Sequence, residues 1–374
     1  MINKERLIKL TRKLISINSE NPPGNEARIA AFVKAYLRKL GLEAKIYAFK
    51  NRRSNIVAKL RGSNTGHSLL ITPHLDTVPR GKSWKIDAFS GVIKDKRLYG
   101  LGATDCKCNL ACSLEVINSL VEEKRVLGYN LILAATADEE SGSGLGLIPL
   151  LEKGILKADA ALVLDSDEFE IVITQKGLMH LLLIIRGKRA HGAYPWLGTN
   201  AIDIAVKILA ELKNFKFSRL QNKYLRPPTI NTGTIKGGDK VNIVADYCEV
   251  ELDFRFLPGD SGKELLRKLK ARVAKYAQDY KIKIEGIQKP YFISESHALV
   301  KALKKALVKF RIAPQVKGSE GATVITFFQS KAIPAVAFGF GTSGRAHTAD
   351  EYVEIDNLYK GAQVLEEFLK NYKF

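Results

Sequence analysis

The sequence predicts an α/β protein: a larger domain with a mostly parallel central sheet, interrupted by a small two-layer α+β insert. Three observations predict it. Near-continuous apolar runs of strand length alternate with longer helical stretches in the first half of the chain, as expected for strands covered on both faces. The middle of the chain reads β-α-β-β-α-β, the order of a compact ferredoxin-like unit. The 374 residues are too many for one small core and few for three domains.

The opening carries two amphipathic helices. Leu7, Leu10, Leu14 and Ile15 recur at helical spacing. Ile29, Phe32, Val33, Tyr36, Leu37 and Leu40 do the same, with Gly41 where a C-terminal cap belongs. Asn21-Pro22-Pro23-Gly24-Asn25 between them must be a loop. Strands are expected at 44–49, 55–60, 68–72, 91–94 and 131–137, and helices at 107–123, 145–152 and 354–372. In the middle, strands at 179–187, 230–236, 248–256 and 281–287 accompany helices at 199–214 and 261–279. The expected division is a larger domain of residues 1–178 and 290–374 and an insert of residues 179–289.

Composition excludes several classes. Hydrophobic residues at 46% and charged residues at 26% are ordinary globular values, so the chain is neither largely disordered nor fibrous. Mean hydropathy is −0.08. Apolar runs such as 178–185 are far shorter than the ~20 residues of a membrane-spanning helix. The N-terminal MINKERLIKL has no apolar signal-peptide core, and four cysteines are too few for a disulfide scaffold. Reduced thiols in a cytoplasmic protein are therefore expected. Lys+Arg 59 against Asp+Glu 39 gives a net charge of +20. The basic residues are spread over the whole chain with no aromatic-interleaved run, so a solvated surface is expected and nucleic acid is not.

Chemistry concentrates at the ends of predicted strands, where ligand pockets of open α/β sheets form. His74 and Asp76, two apart in Thr72-Pro73-His74-Leu75-Asp76-Thr77-Val78-Pro79, point to one side of an extended chain. A carboxylate there can fix the tautomer of a metal-bound imidazole. Taken alone, the pair is weak evidence and reads more readily as a core hydrogen-bonding unit. Gly100-Leu101-Gly102 delivers Asp105 to the start of a helix. A dinucleotide loop is discounted, because the third glycine and a later acidic residue are missing. Asp138-Glu139-Glu140 follows an apolar strand, where adjacent carboxylates call for a cation or a shared proton. Asp165 ends the apolar run 161–164, with Asp167 and Glu168 just beyond it. His347 and then Asp350-Glu351 lie near the C-terminus, after Gly339-Phe340-Gly341. Such nitrogen and oxygen donors suit Zn2+, Co2+ or Mn2+.

The order and spacing of these pieces resemble the di-zinc amidohydrolases and exopeptidases that include acetylornithine deacetylase, succinyl-diaminopimelate desuccinylase and carboxypeptidase G. The resemblance covers essentially the whole chain, and it implies a zinc-exopeptidase-like catalytic domain with an inserted lid and dimerisation domain. It implies two divalent metal ions bridged by Asp105, one also bound by His74 and Asp165, the other by Glu140 and His347. Glu139 is implied as general base, acting on a water between the ions, and Asp76 as the group that orients His74.

In the insert, Gly187-Lys188-Arg189-Ala190-His191-Gly192 also fits the family. His191 is implied as the donor that stabilises the oxyanion in a neighbouring subunit of a homodimer. Asn242, Arg255, Gly321 and Thr323 match substrate-contact positions, although a surface ion pair accounts for Arg255 equally well. Val324 and Thr326 depart from the deacylase pattern, as does Asp165 where that branch has glutamate, with Asp167 or Glu168 as the alternative ligand. Cys108 replaces a usual glycine, and Cys106 and Cys108 are expected to be small packed thiols rather than ligands. The implied activity is hydrolysis of N-acyl amino acids by deacetylation or desuccinylation. A metallo-carboxypeptidase or dipeptidase acting on short peptides is the alternative. A non-catalytic basic protein binding polyanions is the alternative of another class.

Overall fold

The computed structural model describes residues 1–165, 168–214, 216–218 and 220–374. The chain divides into two compact units. One comprises Met1–Ile173, Ile293–Lys317 and Phe327–Phe374, and the other Thr174–Phe292 and Gly318–Thr326. The second unit thus extends a few residues beyond the expected insert at each end and takes in Gly318–Thr326, which had been expected in the larger domain. The reason is local bonding. Lys176 Nζ lies 2.6 Å from Glu320 Oε2, and Thr323 donates from its main-chain N–H and hydroxyl to Gln175 Oε1 at 2.9 and 2.7 Å.

In the first unit the sheet runs, by neighbour, Ala44–Lys50, Arg53–Leu60, Asn130–Ala135, Ser68–Thr72, Ala160–Leu164, Ala335–Phe338 and Glu170–Gln175. Its centre is parallel: Ser68–Thr72 pairs in parallel with both Asn130–Ala135 and Ala160–Leu164, and Ala335–Phe338 with Ala160–Leu164. The flanks are antiparallel, so the sheet is mixed. The hairpin joining Ala44–Lys50 to Arg53–Leu60 turns through Arg52 at φ 63°, and a connection that short permits only antiparallel pairing. The central strands Asn130–Ala135 and Ala160–Leu164 are buried along their whole length, which explains their unbroken apolar sequences. Helix Lys107–Glu122 is likewise buried nearly all round, packing against Lys4–Ile15 and Ile355–Asn371.

The second unit holds an antiparallel sheet in the order Thr229–Gly237, Tyr247–Phe256, Gly177–Arg186 and Asp279–Gln288. Period-two alternation puts Met179, Leu181, Leu183 and Ile185, with Cys248, Val250, Leu252 and Phe254, on one buried face. Helices Ala201–Asn214 and Gly262–Val273 bury Ala205, Ile208, Leu265 and Leu269 in the same core. Among the described residues no helix is long and apolar enough to cross a membrane.

Candidate metal centre

The site forms beyond the carboxyl ends of the parallel strands. His74 follows Ser68–Thr72, Glu139 and Glu140 follow Asn130–Ala135, and Asp165 follows Ala160–Leu164. Asp105 sits just before helix Lys107–Glu122 and His347 in the turns after Ala335–Phe338. Two groups of ligand-type atoms result. His74, Asp105, Cys106 and Asp165 form one, Asp105, Glu140 and His347 the other, and within each the atoms lie within 4.8 Å of one another.

Asp105 belongs to both groups and divides its two oxygens between them. Oδ1 is 2.8 Å from His74 Nε2, and Oδ2 is 3.2 Å from His347 Nε2. His74 Nε2 also lies 3.4 Å from Asp165 Oδ1, and His347 Nε2 3.1 Å from Glu140 Oε2. His74 Nδ1 faces the main-chain oxygen of Asp76 at 3.0 Å, with the Asp76 carboxylate at 3.6 Å. A carbonyl oxygen only accepts, so Nδ1 carries a proton; Nε2 donates to Asp105 here, and a bound cation would take the place of that second proton. The Asp76 carboxylate is used differently: it accepts the main-chain N–H of Glu139 at 3.1 Å and of Glu140 at 3.2 Å, and Asn21 Nδ2 at 2.9 Å.

The electrostatics show a site that calls for positive charge. Burial pushes the Asp165 carboxyl up to about 6. Burial opposes ionisation of Asp105 too, but hydrogen bonds from His347 and His74 outweigh it and hold that carboxyl well below the usual range. Hydrogen bonds to Asp105 and then Glu140 push the His347 imidazole up to about 10. Burial, and after it the charge of Asp165, raises Glu139 well above an ordinary carboxyl. Two imidazoles and four carboxylates crowded in this way are a donor set that divalent cations fit, replacing protons as the neutralising charge.

Two contributors were not foreseen. Glu351, 1% exposed, accepts the main-chain N–H groups of Gly102 at 2.9 Å, Thr104 at 2.7 Å and Asp105 at 3.0 Å, and so shapes the loop that presents Asp105. Gly102 is left-handed at φ +82°, and a Cβ there would meet Thr77 Cγ2 at 2.8 Å, so the turn requires glycine. The other contributor is Asn21, whose Pro-rich loop read only as a connection. Cys106 is fully buried, and its Sγ accepts the His74 main-chain N–H at 3.1 Å. Glu168 is exposed and belongs to neither group, and Asp167 lies outside the described residues.

The remaining expected site residues, His191, Asn242, Arg255, Gly321 and Thr323, belong to the second unit. His191 and Asn242 are brought together there: Gly192 N–H donates to the Asn242 main-chain oxygen at 2.8 Å, and a Cβ on Gly192 would come within 2.8 Å of that backbone. The Ala193 N–H donates to His191 Nδ1 at 3.0 Å, which leaves the proton of the neutral ring on Nε2. Arg255 is engaged: Nε and Nη2 donate to the two Asp253 oxygens at 2.8 and 3.0 Å.

A parallel-centred α/β sheet with two carboxylate–imidazole groups beyond its strand ends defines an α/β protein suited to hold divalent cations. The chain belongs to peptidase family M20/M25/M40, whose profile matches residues 70–371. It is a metallohydrolase acting on C–N bonds. An uncharacterized metallohydrolase of Methanocaldococcus jannaschii is 31% identical, over 98% of this chain and 99% of its own length. A succinyl-diaminopimelate desuccinylase of Wolbachia pipientis is 27% identical, over 98% and 93%. The crystal structure of aminopeptidase PepT from Bacillus cereus matches with a TM-score of 0.83 at 25% identity, covering 99% of this chain and 98% of that one.

Proposed function

We propose that this chain hydrolyses the amide bond of N-acyl amino acids, with deacetylation or desuccinylation as the reaction. The observation that carries the reading is the division of Asp105, one oxygen toward His74 and the other toward His347. It supports two cations, one of which His74, Asp105 and Asp165 would hold and the other Asp105, Glu140 and His347. We assign Zn2+, with Co2+ or Mn2+ as functional substitutes. Such a pair, when bound, acidifies a shared water and polarises the substrate carbonyl.

The chain's own residues do the rest. Glu139 accepts the proton of the attacking water on a carboxylate oxygen and passes it to the leaving nitrogen, so the C–N bond breaks as acid and amine separate. His191 is assigned the oxyanion donor through Nε2–H, acting in a dimer built on the second unit. Asn242, Gly321 and Thr323 are assigned substrate contacts. Arg255 joins them only by exchanging Asp253 for a substrate carboxylate.

A second reading is favoured by the likeness to PepT, an aminopeptidase. In it the same centre cleaves a dipeptide or trims a short peptide. The test is a chelated sample reloaded with Zn2+ or Co2+ and assayed against N-acetyl and N-succinyl amino acids and dipeptides. The first reading predicts turnover of an acyl amino acid that falls by at least about 100-fold in Glu139→Gln at unchanged metal content. Turnover of peptides alone would move the assignment to the second reading. Wild-type kcat in Glu139→Gln would remove Glu139 as base.

A further inference from the structure

Behind the turn that carries Glu139 and Glu140 lies a buried ion cluster that none of these roles explains. The side chains of Arg53, Glu26 and Asp138 are 9%, 0% and 8% exposed. Arg53 Nε donates to Glu26 Oε2 at 2.9 Å and Oε1 at 3.1 Å, and its Nη2 donates to Asp138 Oδ1 at 2.6 Å. The second Asp138 oxygen accepts the Leu145 main-chain N–H at 2.9 Å. The main-chain N–H of Asp138 donates to Glu26 Oε1 at 3.3 Å, and Asn21 Nδ2 reaches Asp138 Oδ1 at 3.4 Å. One guanidinium therefore ties the start of helix Ala27–Lys39 to the residue just before the paired glutamates.

Space is made for it. Gly24, in the Asn-Pro-Pro-Gly loop, sits at φ +80°, and a Cβ there would come within 2.3 Å of Arg53 Cζ. Removing ions from water is costly, and apolar residues of equal volume often stabilise as well. What the cluster supplies beyond stability is geometry. Asp138 itself is left-handed at φ 66°, a conformation that aspartate and asparagine adopt more readily than most residues. Its backbone angles set the direction in which the next two side chains leave the strand. Asp76 holds this turn from one side through the N–H groups of Glu139 and Glu140, and Arg53 holds it from the other through Asp138.

We propose that Arg53, anchored by Glu26, is a positioning residue for the hydrolytic turn: by spanning Glu26 and Asp138 it fixes the backbone from which Glu139 and Glu140 diverge. The roles of base and ligand in this statement rest on the hydrolase reading above. The planar fork matters, because Nε and Nη2 reach Glu26 and Asp138 from separate atoms in fixed directions, whereas a lysine offers a single nitrogen.

Arg53→Lys and Asp138→Asn, each in the full chain, test it. A thermal melt comes first, then the visible absorption of the Co2+-loaded protein, then kcat and KM. Asparagine tolerates left-handed backbone and still accepts from Leu145, so Asp138→Asn keeps the turn's local bonds while losing the ion pair. The expected result in a folded variant is a kcat lowered about 10–100-fold at unchanged KM, together with altered cobalt bands as Glu140 is displaced. Wild-type kcat with wild-type cobalt bands in a folded variant overturns the proposal. So does loss of folding in Asp138→Asn, which would make the cluster a requirement of the fold rather than of the turn. Should the wild type bind Co2+ but cleave none of the acyl amino acids or dipeptides, the hydrolase reading fails while the cobalt bands still decide the positioning role.

Discussion

Asp76 Oδ1 accepts the main-chain N–H of Glu139 at 3.1 Å, joining the strand end that carries His74 to the turn that carries the paired glutamates. The other oxygen of Asp76 serves the next N–H, of Glu140, at 3.2 Å. Asp76 is fully buried, and removing its carboxylate deprives three donors of their acceptor: these two N–H groups and Asn21 Nδ2. Each stranded donor costs about 1–3 kcal/mol. Asp76→Ala is therefore expected to lower the melting temperature by several degrees and kcat by at least about tenfold, read by a thermal melt and steady-state kinetics. A variant that melts and turns over like the wild type would show that the turn needs no such tether.

His191 offers a different signature. Its Nδ1 is occupied by the Ala193 N–H, so the proton of the neutral ring is on Nε2. A donor aimed at developing negative charge acts in the transition state more than in the ground state. His191→Ala should then lower kcat by about 100-fold or more with little change in KM. An effect confined to KM would make the residue a binding group instead.

The four cysteines are free and buried. Burial pushes the Cys106 thiol up to about 12 and raises Cys108 and Cys112 as well. Alkylation proceeds through the thiolate, which these thiols hardly populate at neutral pH. Iodoacetamide is expected to leave the native protein unlabelled and to label all four sites in denaturant, counted by mass spectrometry. Rapid labelling of Cys106 in native protein would place a thiolate beside Asp105.

Much of this was legible in the sequence, for physical reasons. Unbroken apolar runs mark strands buried on both faces, and the polar residues that end those runs lie at the strand ends where sites form, so His74, Glu140 and Asp165 stood out as candidates by position and took roles only from the family resemblance. Strand alternation marked the second unit just as plainly. Helix Ala298–Lys309 went unread although Leu299, Val300, Leu303 and Leu307 repeat at helical spacing, and so did the short strands Glu170–Gln175 and Ala335–Phe338. Glu351, Asn21 and Arg53 were hidden for another reason. Each acts on backbone or side chains far along the chain, Glu351 on Asp105 and Asn21 on Asp76, and no local pattern encodes such a pairing. The cluster Asp350-Glu351 announced an acidic site without telling which carboxylate turns toward main-chain N–H groups.

Metal removal should be visible in stability as well as turnover. Carboxylates of Asp105, Glu140 and Asp165 crowd the centre, and cations bound only by the folded state stabilise it by mass action. At a free Zn2+ concentration about 100 times Kd the gain is about 2.7 kcal/mol per site. The chelated protein is expected to melt a few degrees below the Zn2+-loaded protein by scanning calorimetry, with activity returning on reloading. A melting temperature indifferent to Zn2+ would mean that the folded chain has no preference for the ion.

The central claim is that Asp105 is shared between two cations, and anomalous diffraction at the zinc edge from crystals grown with Zn2+ tests it most directly. Two peaks about 3.5–4 Å apart are expected on either side of Asp105, one beside His74 and Asp165, the other beside Glu140 and His347. A map with no peak there, or with peaks that leave Asp105 bound on one side alone, would contradict it.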